Sequence, residues 1–351
     1  MAPCSGPSGR GRLLVALVAL AASAARARPQ SDPLSGFIYA LSDNGTTNEW
    51  NFIAADLLTF EIEPRGGPMA NVEAIGQAAV VLDGVFYSML LQRGDAEGFV
   101  LAGINTSSGE RVATFDTRAW PGATGRGVLI EALFAQAQRP GQLLAIGRSL
   151  GQAAQLLLDV DAATGNATLR GSVNCSGGDI AYDEARDLLY ERVSDGNDDV
   201  DSGELVVISA AAAAPGPRVV GTLALGNFFG FPMYDPQTDS LVGLALQTGG
   251  PNGYMRNFTT LALPITNSSD YATDATSHGD LGAQYVVLED GPKAIDPVTR
   301  RAFFMLASGP FAEFEIVAVD IDSVPTKVIE APGICGFIGY CPQAWAFGPS
   351  S

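Results

Sequence analysis

Six turn-forming residues, Asp56, Asn105, Asp161, Ser209, Thr266 and Asp322, recur along the chain at intervals of roughly 48 to 57 residues. Each closes a short run rich in Val, Ile, Leu and Ala. One such turn is ordinary. Six at a near-constant spacing restrict the chain to a repeat architecture, in which one supersecondary unit is copied and stacked.

The unit is clearest from Lys293 to Pro332. Ala294-Ile295-Asp296-Pro297-Val298-Thr299-Arg300 leads into Ala302–Leu306, then Phe314–Asp322, then Thr326–Glu330. Asp296-Pro297 sets a turn, because Pro presets φ and the Asp side chain accepts backbone N–H groups further on. The flanking runs suit pleated strands, and a continuously apolar run suits a strand covered on both faces. Four antiparallel strands in about 40 residues is the size of a β-propeller blade, whereas a βαβ unit needs a helical crossover.

The phrase returns at Tyr234–Thr238 before Leu241–Leu246, at Tyr182–Arg186 before Leu188–Tyr190, and at Ala79–Gly84 before Val85–Tyr87. Repeats are expected over 70–121, 122–174, 175–225, 226–282 and 283–335. Gly36–Ser42, Asn51–Asp56 and Thr59–Pro64 supply only three strands of the first unit, and Gln343–Phe347 is a strand left over. The expected fold is all-β: a six-bladed β-propeller, a single domain over 28–351, closed by pairing of the C-terminal strand with the N-terminal blade. Such closure removes the edges an open ring would expose. The first strand of the third repeat, near Val128–Phe134, is weakly marked. No fourth strand is evident in the fifth, around Ala272–Leu281. Ala210–Pro217 is expected to be a long hairpin loop.

Residues 1–27 have the form of a secretory signal peptide: Arg10 and Arg12, an apolar run from Leu13 to Ala22, then small residues at Ala22-Ser23-Ala24 and Ala25-Arg26-Ala27. The expected location is extracellular, with no stable membrane insertion once the signal is removed. N-x-S/T sequons at Asn44, Asn105, Asn166, Asn174, Asn257 and Asn267 agree with export and mark expected glycosylation sites. In an oxidising compartment Cys335 and Cys341, which bracket a five-residue turn, are the expected disulfide, leaving Cys175 as a thiol or an intermolecular partner.

The formal charge is −18, and the only lysines are Lys293 and Lys327. Such acidity disfavours nucleic acid and anionic membranes as partners and permits cations. Asp195, Asn197, Asp199 and Asp201 place oxygen ligands at alternating positions, as Ca²⁺ requires. The stretch departs from an EF-hand at Val200 and Val206, and a solvated acidic turn is the stronger reading of it. A second candidate metal set is Glu73, Asp179 and Asp290, with Glu131 and Asn227, at the starts of innermost strands where a channel mouth would lie. Convergent carboxylates there would hold a metal that activates water. No catalytic residue is assignable. His278, the only histidine, stands in Thr276-Ser277-His278-Gly279-Asp280 without a G-x-S-x-G elbow and is expected in a surface loop. Trp50, Trp120 and Trp345 are expected in core or closure packing.

The Ala294–Phe303 phrase and the D-x-x-T-G turn at Asp161–Gly165 resemble the broad six-bladed propeller group. That group includes NHL-type and YVTN-type repeats and the SMP-30/gluconolactonase-like enzymes. The resemblance covers the blade pattern of most of residues 36–348 and implies the fold. The lactonase-like members hold a divalent metal in the channel, which makes a metal-dependent hydrolase the alternative function. A repeat fold without a recognisable catalytic constellation points first to a binding module for a protein, glycan or small-molecule ligand.

Overall fold

The computed structural model describes residues 36–43, 49–56, 61–94, 97–174, 179–192, 204–213, 215–224, 229–246, 256–264, 276–286, 293–296, 300–308, 313–321, 329–331 and 342–348. The first sheet holds β1 (Phe37–Asp43), β2 (Trp50–Asp56) and β3 (Ile62–Met69). The second holds β4 (Val72–Leu82), β5 (Val85–Gln92), β6 (Gly98–Asn105) and β7 (Arg111–Asp116). The third holds β8 (Val128–Ala135), β9 (Gln142–Ser149), β10 (Gln155–Asp161) and β11 (Ala167–Val173). The fourth holds β12 (Ile180–Asp183), β13 (Leu188–Arg192), β14 (Glu204–Ser209) and β15 (Arg218–Ala224). Next come β16 (Phe229–Asp235), β17 (Ser240–Leu246), β18 (Arg256–Pro264) and β19 (Thr276–Val286), then β20 (Lys293–Asp296), β21 (Arg301–Ser308), β22 (Glu313–Asp320) and β23 (Ile329–Ala331). β24 (Pro342–Gly348) pairs antiparallel with β1, Phe37 opposite Gly348 and Ala40 opposite Trp345.

Three expectations change. The first sheet's last strand is Ile62–Met69, and the Asp56 N–H donates to the Glu61 carbonyl at 2.9 Å just before it. The fifth repeat does have a fourth strand, β19, which carries His278 in a strand rather than a loop. It is hidden in the sequence by its glycines, and two register shifts against β18 accommodate it. β19 also runs far enough to pair Tyr285 with Ser308, which merges the last two groups into one eight-stranded sheet.

The inner and middle strands stand covered on both faces. In β5, Phe86 and Leu90 join the cluster of Tyr39, Phe52 and Val100, while Tyr87, Met89 and Leu91 join that of Leu133, Leu143 and Val160. In β9, Leu143 and Ala145 face the second sheet, and Leu144 and Ile146 face Ile180 and Leu189 of the fourth. Each fully buried large side chain contributes about 1.5–3 kcal/mol. Trp50 and Trp120 are both core, and the Trp120 indole N–H donates to the Gly165 carbonyl at 3.1 Å.

The repeated turn is built the same way twice. Asp161 Oδ1 accepts the Ala163 and Thr164 N–H groups and the Thr164 hydroxyl; Asn105 Oδ1 accepts the Ser107 and Ser108 N–H groups and the Ser107 hydroxyl. Both turns close through a glycine of positive φ, Gly165 (72°) and Gly109 (70°).

Arginines clamp neighbouring sheets together. A bulge in β11 makes Arg170 the extra residue and turns its guanidinium inward. There it donates at 2.7 Å to Asp159 and to Asp187, at 2.8 Å to Gln136 and at 3.1 Å to the Ala210 carbonyl. Arg186 joins Asp183 to Asp239 of the next sheet, and Tyr234 donates to Asp239 at 3.0 Å. Arg300 donates at 2.7 Å to both oxygens of fully buried Asp235.

Candidate functional site

The first-in-sequence strands of the later groups, with β24 in that place in the first sheet, pack side by side: β24 on β4, β4 on β8, β12 on β16, β16 on β20, and β20 on β24. Near the starts of three of them lie Glu73, Glu131 and Asp179, and each meets an arginine from the second strand of its own sheet. Arg93, just beyond β5, donates from Nε to Glu73 Oε2 at 3.1 Å. Arg148 in β9 holds Glu131 at 2.5 Å. Arg192, the last residue of β13, lies 3.8 Å from Asp179.

Local backbone explains the repetition. The Arg93 N–H donates to the Asn71 carbonyl, and the Arg192 N–H to the Asp179 carbonyl, both at 2.9 Å, so each hairpin ends with acid and arginine abreast. In the third sheet Glu131 is the extra residue of a bulge in β8. Gly147 permits it, since a Cβ there would lie 2.2 Å from the Leu129 carbonyl oxygen.

Two links join these pairs across sheets. Buried Gln155 donates from Nε2 to Glu131 at 3.1 Å and to Glu191 at 3.3 Å, tying the third sheet to the fourth. Lys293, the first residue of β20, donates to Asp179 at 3.1 Å. Asp179 is 3% exposed, so its charge is held by cations rather than by water. The rim formed in this way carries both signs in alternation.

Among the described residues no group of three or more His, Cys, Asp or Glu is placed to hold a metal. Glu73, Glu131 and Asp179 are not drawn together there; each meets its own arginine. Asp195, Asn197, Asp199, Asp201, Asn227 and Asp290 lie outside the described residues, as do Cys175, Cys335, Cys341, Asn44, Asn267 and the 1–27 segment. Asn257 stands in β18. Asn166 and Asn174 are exposed, and Asn105 is half-buried at its turn. The residues that sequence reading missed are the partners, Arg93, Arg148, Arg192, Lys293, Gln155 and Glu191. Their signal was an arginine at or just past the end of an apolar second strand.

No protein-family model and no curated protein matches the sequence. Solved structures do match. A chain of a crystallised nidogen/laminin complex superposes with a TM-score of 0.55 at 10% identity, covering 89% of this chain and 98% of that one. TolB from Acinetobacter baumannii gives 0.56 at 9% identity, covering 91% and 68%. A putative 6-phosphogluconolactonase from Bacteroides fragilis gives 0.50 at 12% identity, covering 91% and 99%. These neighbours are β-propellers. The fold is a β-propeller. At such identities the likeness carries the fold alone, so the propeller's function has to be argued from its own residues.

Proposed function

We propose that the chain is a secreted, glycosylated propeller of six blades, closed by the β24–β1 pairing, that works as a binding module for a protein partner. The side-by-side packing of β24, β4 and β8, and of β12, β16, β20 and β24, supports a ring of six. The observation that carries the function is the pairing of three carboxylates near inner-strand starts with an arginine each: Glu73 with Arg93, Glu131 with Arg148, Asp179 with Arg192. A hard cation needs carboxylate oxygens whose charge is not already balanced. Guanidinium partners suit a rim that docks a polar surface instead. The nidogen/laminin neighbour, from a protein complex, fits that reading.

The test uses the purified secreted chain. Saturable binding to one protein in a panel of extracellular proteins, weakened by reversing Lys293 or Arg93 to Glu, supports the module. A thermal melt in EDTA and then with Ca²⁺, Mg²⁺, Mn²⁺ or Zn²⁺ tests the alternative, because an ion at about 100 times its Kd stabilises by about 2.7 kcal/mol. A selective ion shift together with lactone turnover lost in Glu131→Gln would replace the module with a hydrolase.

A further inference from the structure

Among the described residues, three outermost strands are each covered by a turn of the next sheet. The turn between β6 and β7 lies on β3: a Cβ at Gly66 would stand 2.5 Å from the Gly109 carbonyl oxygen, and Arg65 donates to the Thr106 carbonyl at 2.6 Å. The turn between β10 and β11 lies on β7, where Gly165 meets Phe115. The connection between β14 and β15 lies on β11, with a Cβ at Gly171 only 2.5 Å from Pro217 Cδ. β15 departs from this pattern. It ends the fourth sheet, and among the described residues it pairs only with β14. Arg218, Val219, Val220, Gly221 and Thr222 are all exposed, the two valines at 47% and 48%. A Cβ at Gly221 would meet nothing within 4 Å. The corresponding turn, 265–275, lies outside the described residues.

β15 also leads away from the rim. Arg192 stands opposite Leu205, and Leu205 opposite Leu223, so the far end of β15 shares a row with a rim arginine. A bulge makes Val220 the extra residue, after which Gly221–Ala224 pair in regular register with β14. β15 holds no carboxylate, in a chain with 38 Asp and Glu. The Arg218 guanidinium makes no ion pair among the described residues. An extended segment added to the sheet here gains main-chain hydrogen bonds and contact with the valines. A carboxylate on it meets the unbalanced charge of Arg218. A second copy is a poor occupant, because two chains of net charge −18 repel. We infer, resting on the binding-module reading above, that β15 is a docking edge and that the protein partner lays along it an extended, β-branched segment with a carboxylate at the end facing Arg218.

The probes are synthetic seven-residue peptides of alternating valine and threonine, amidated at the C-terminus, one ending in glutamate and one in lysine. Antiparallel pairing brings that last residue to Arg218. Binding to the purified secreted chain is read by fluorescence polarisation of labelled probe and by hydrogen exchange over residues 218–224. The glutamate probe should bind saturably, about three- to tenfold tighter than the lysine probe, as an exposed ion pair allows, and should slow that exchange. Arg218→Glu, at an exposed site, should invert the order of the two probes, which a misfolded variant would not do. N-methylation of alternate residues in the glutamate probe should abolish binding. Equal binding of both probes, or a preference that Arg218→Glu leaves unchanged, overturns the inference. So does slow exchange over 218–222 in the free chain, which means that another part of the chain already holds the edge. Self-association in light scattering that Val220→Lys breaks makes a second copy the occupant and overturns it too. If a protein partner is still lost on Arg93→Glu after any of these, the module reading stands. If neither probe nor any protein binds, both fall.

Discussion

Lys293 Nζ and Asp179 Oδ1 meet at 3.1 Å although they are 114 positions apart in sequence. Each stands at the entry to a first-in-sequence strand, β20 and β12, so one ion pair ties the fourth repeat to the sixth. Asp179 is nearly inaccessible and Lys293 is little exposed. Lys293→Met removes the nearer cation from a buried carboxylate, whose second cation, Arg192, lies at 3.8 Å. The expected loss is about 2–4 kcal/mol, read from chemical denaturation. An unchanged midpoint would mean that water already solvates the pair.

Arg170 is a sharper case, because its side chain is 1% exposed and serves two carboxylates. Arg170→Met should cost about 3–5 kcal/mol, since Asp159 and Asp187 then lose the buried cation that they share. A larger loss than for Lys293→Met is expected in the same assay.

Asp159 gives this clamp a pH signature. Burial opposes its ionisation, but hydrogen bonds from Arg170 and Gln136 and the charges of Arg170 and Arg139 outweigh that and hold its pKa below 3.8. A depressed folded pKa contributes stability that is present above the unfolded value and is lost as pH falls through the folded one. The wild type should therefore lose stability below pH 3.8 more steeply than Arg170→Met does. Equal slopes in a denaturation series across that acidic range would count against the clamp.

Tyr234 sets the alkaline side. Burial, then the charges of Asp183 and Asp239 and its own hydrogen bond to Asp239, push its pKa up to about 12. A raised folded pKa gives stability that is full below the ordinary 10.0 and lost as pH climbs through the folded value. Phenolate absorbance should show Tyr234 among several tyrosines that titrate late, burial raising Tyr39, Tyr87 and Tyr182 as well, and Tyr234→Phe should remove one of them and flatten the alkaline loss of stability.

Gly165 closes the D-x-x-T-G turn with φ of 72°, and a Cβ there would lie 2.1 Å from Phe115 Cδ1. Gly165→Ala should cost about 2–4 kcal/mol from overpacking and left-handed strain together. The Trp120 indole donates to this residue's carbonyl, so tryptophan fluorescence should shift in the folded variant.

Much of the architecture was legible because both faces of most strands are covered. Strands such as β5 and β9 then read as continuous apolar runs between turn residues. Where that condition fails, so does the reading. β3 contains Gly66-Gly67-Pro68, and β19 contains two glycines and a histidine, so neither has the apolar pattern of a strand. The acids at the rim were legible as carboxylates at strand starts. Their arginines were not, because the pairing depends on how many residues each hairpin spends before returning. That count differs between Glu73–Arg93, Glu131–Arg148 and Asp179–Arg192.

The pairing of β24 with β1 has a cost in time. A chain leaving the ribosome N-terminus first presents β1 early, but its inner partner lies about 300 residues later. At synthesis rates of about 5–20 residues per second, β1 waits about 15–60 s with one side unpaired. Through that interval the nascent chain needs a chaperone, or a transient partner, where its own last strand will finally sit.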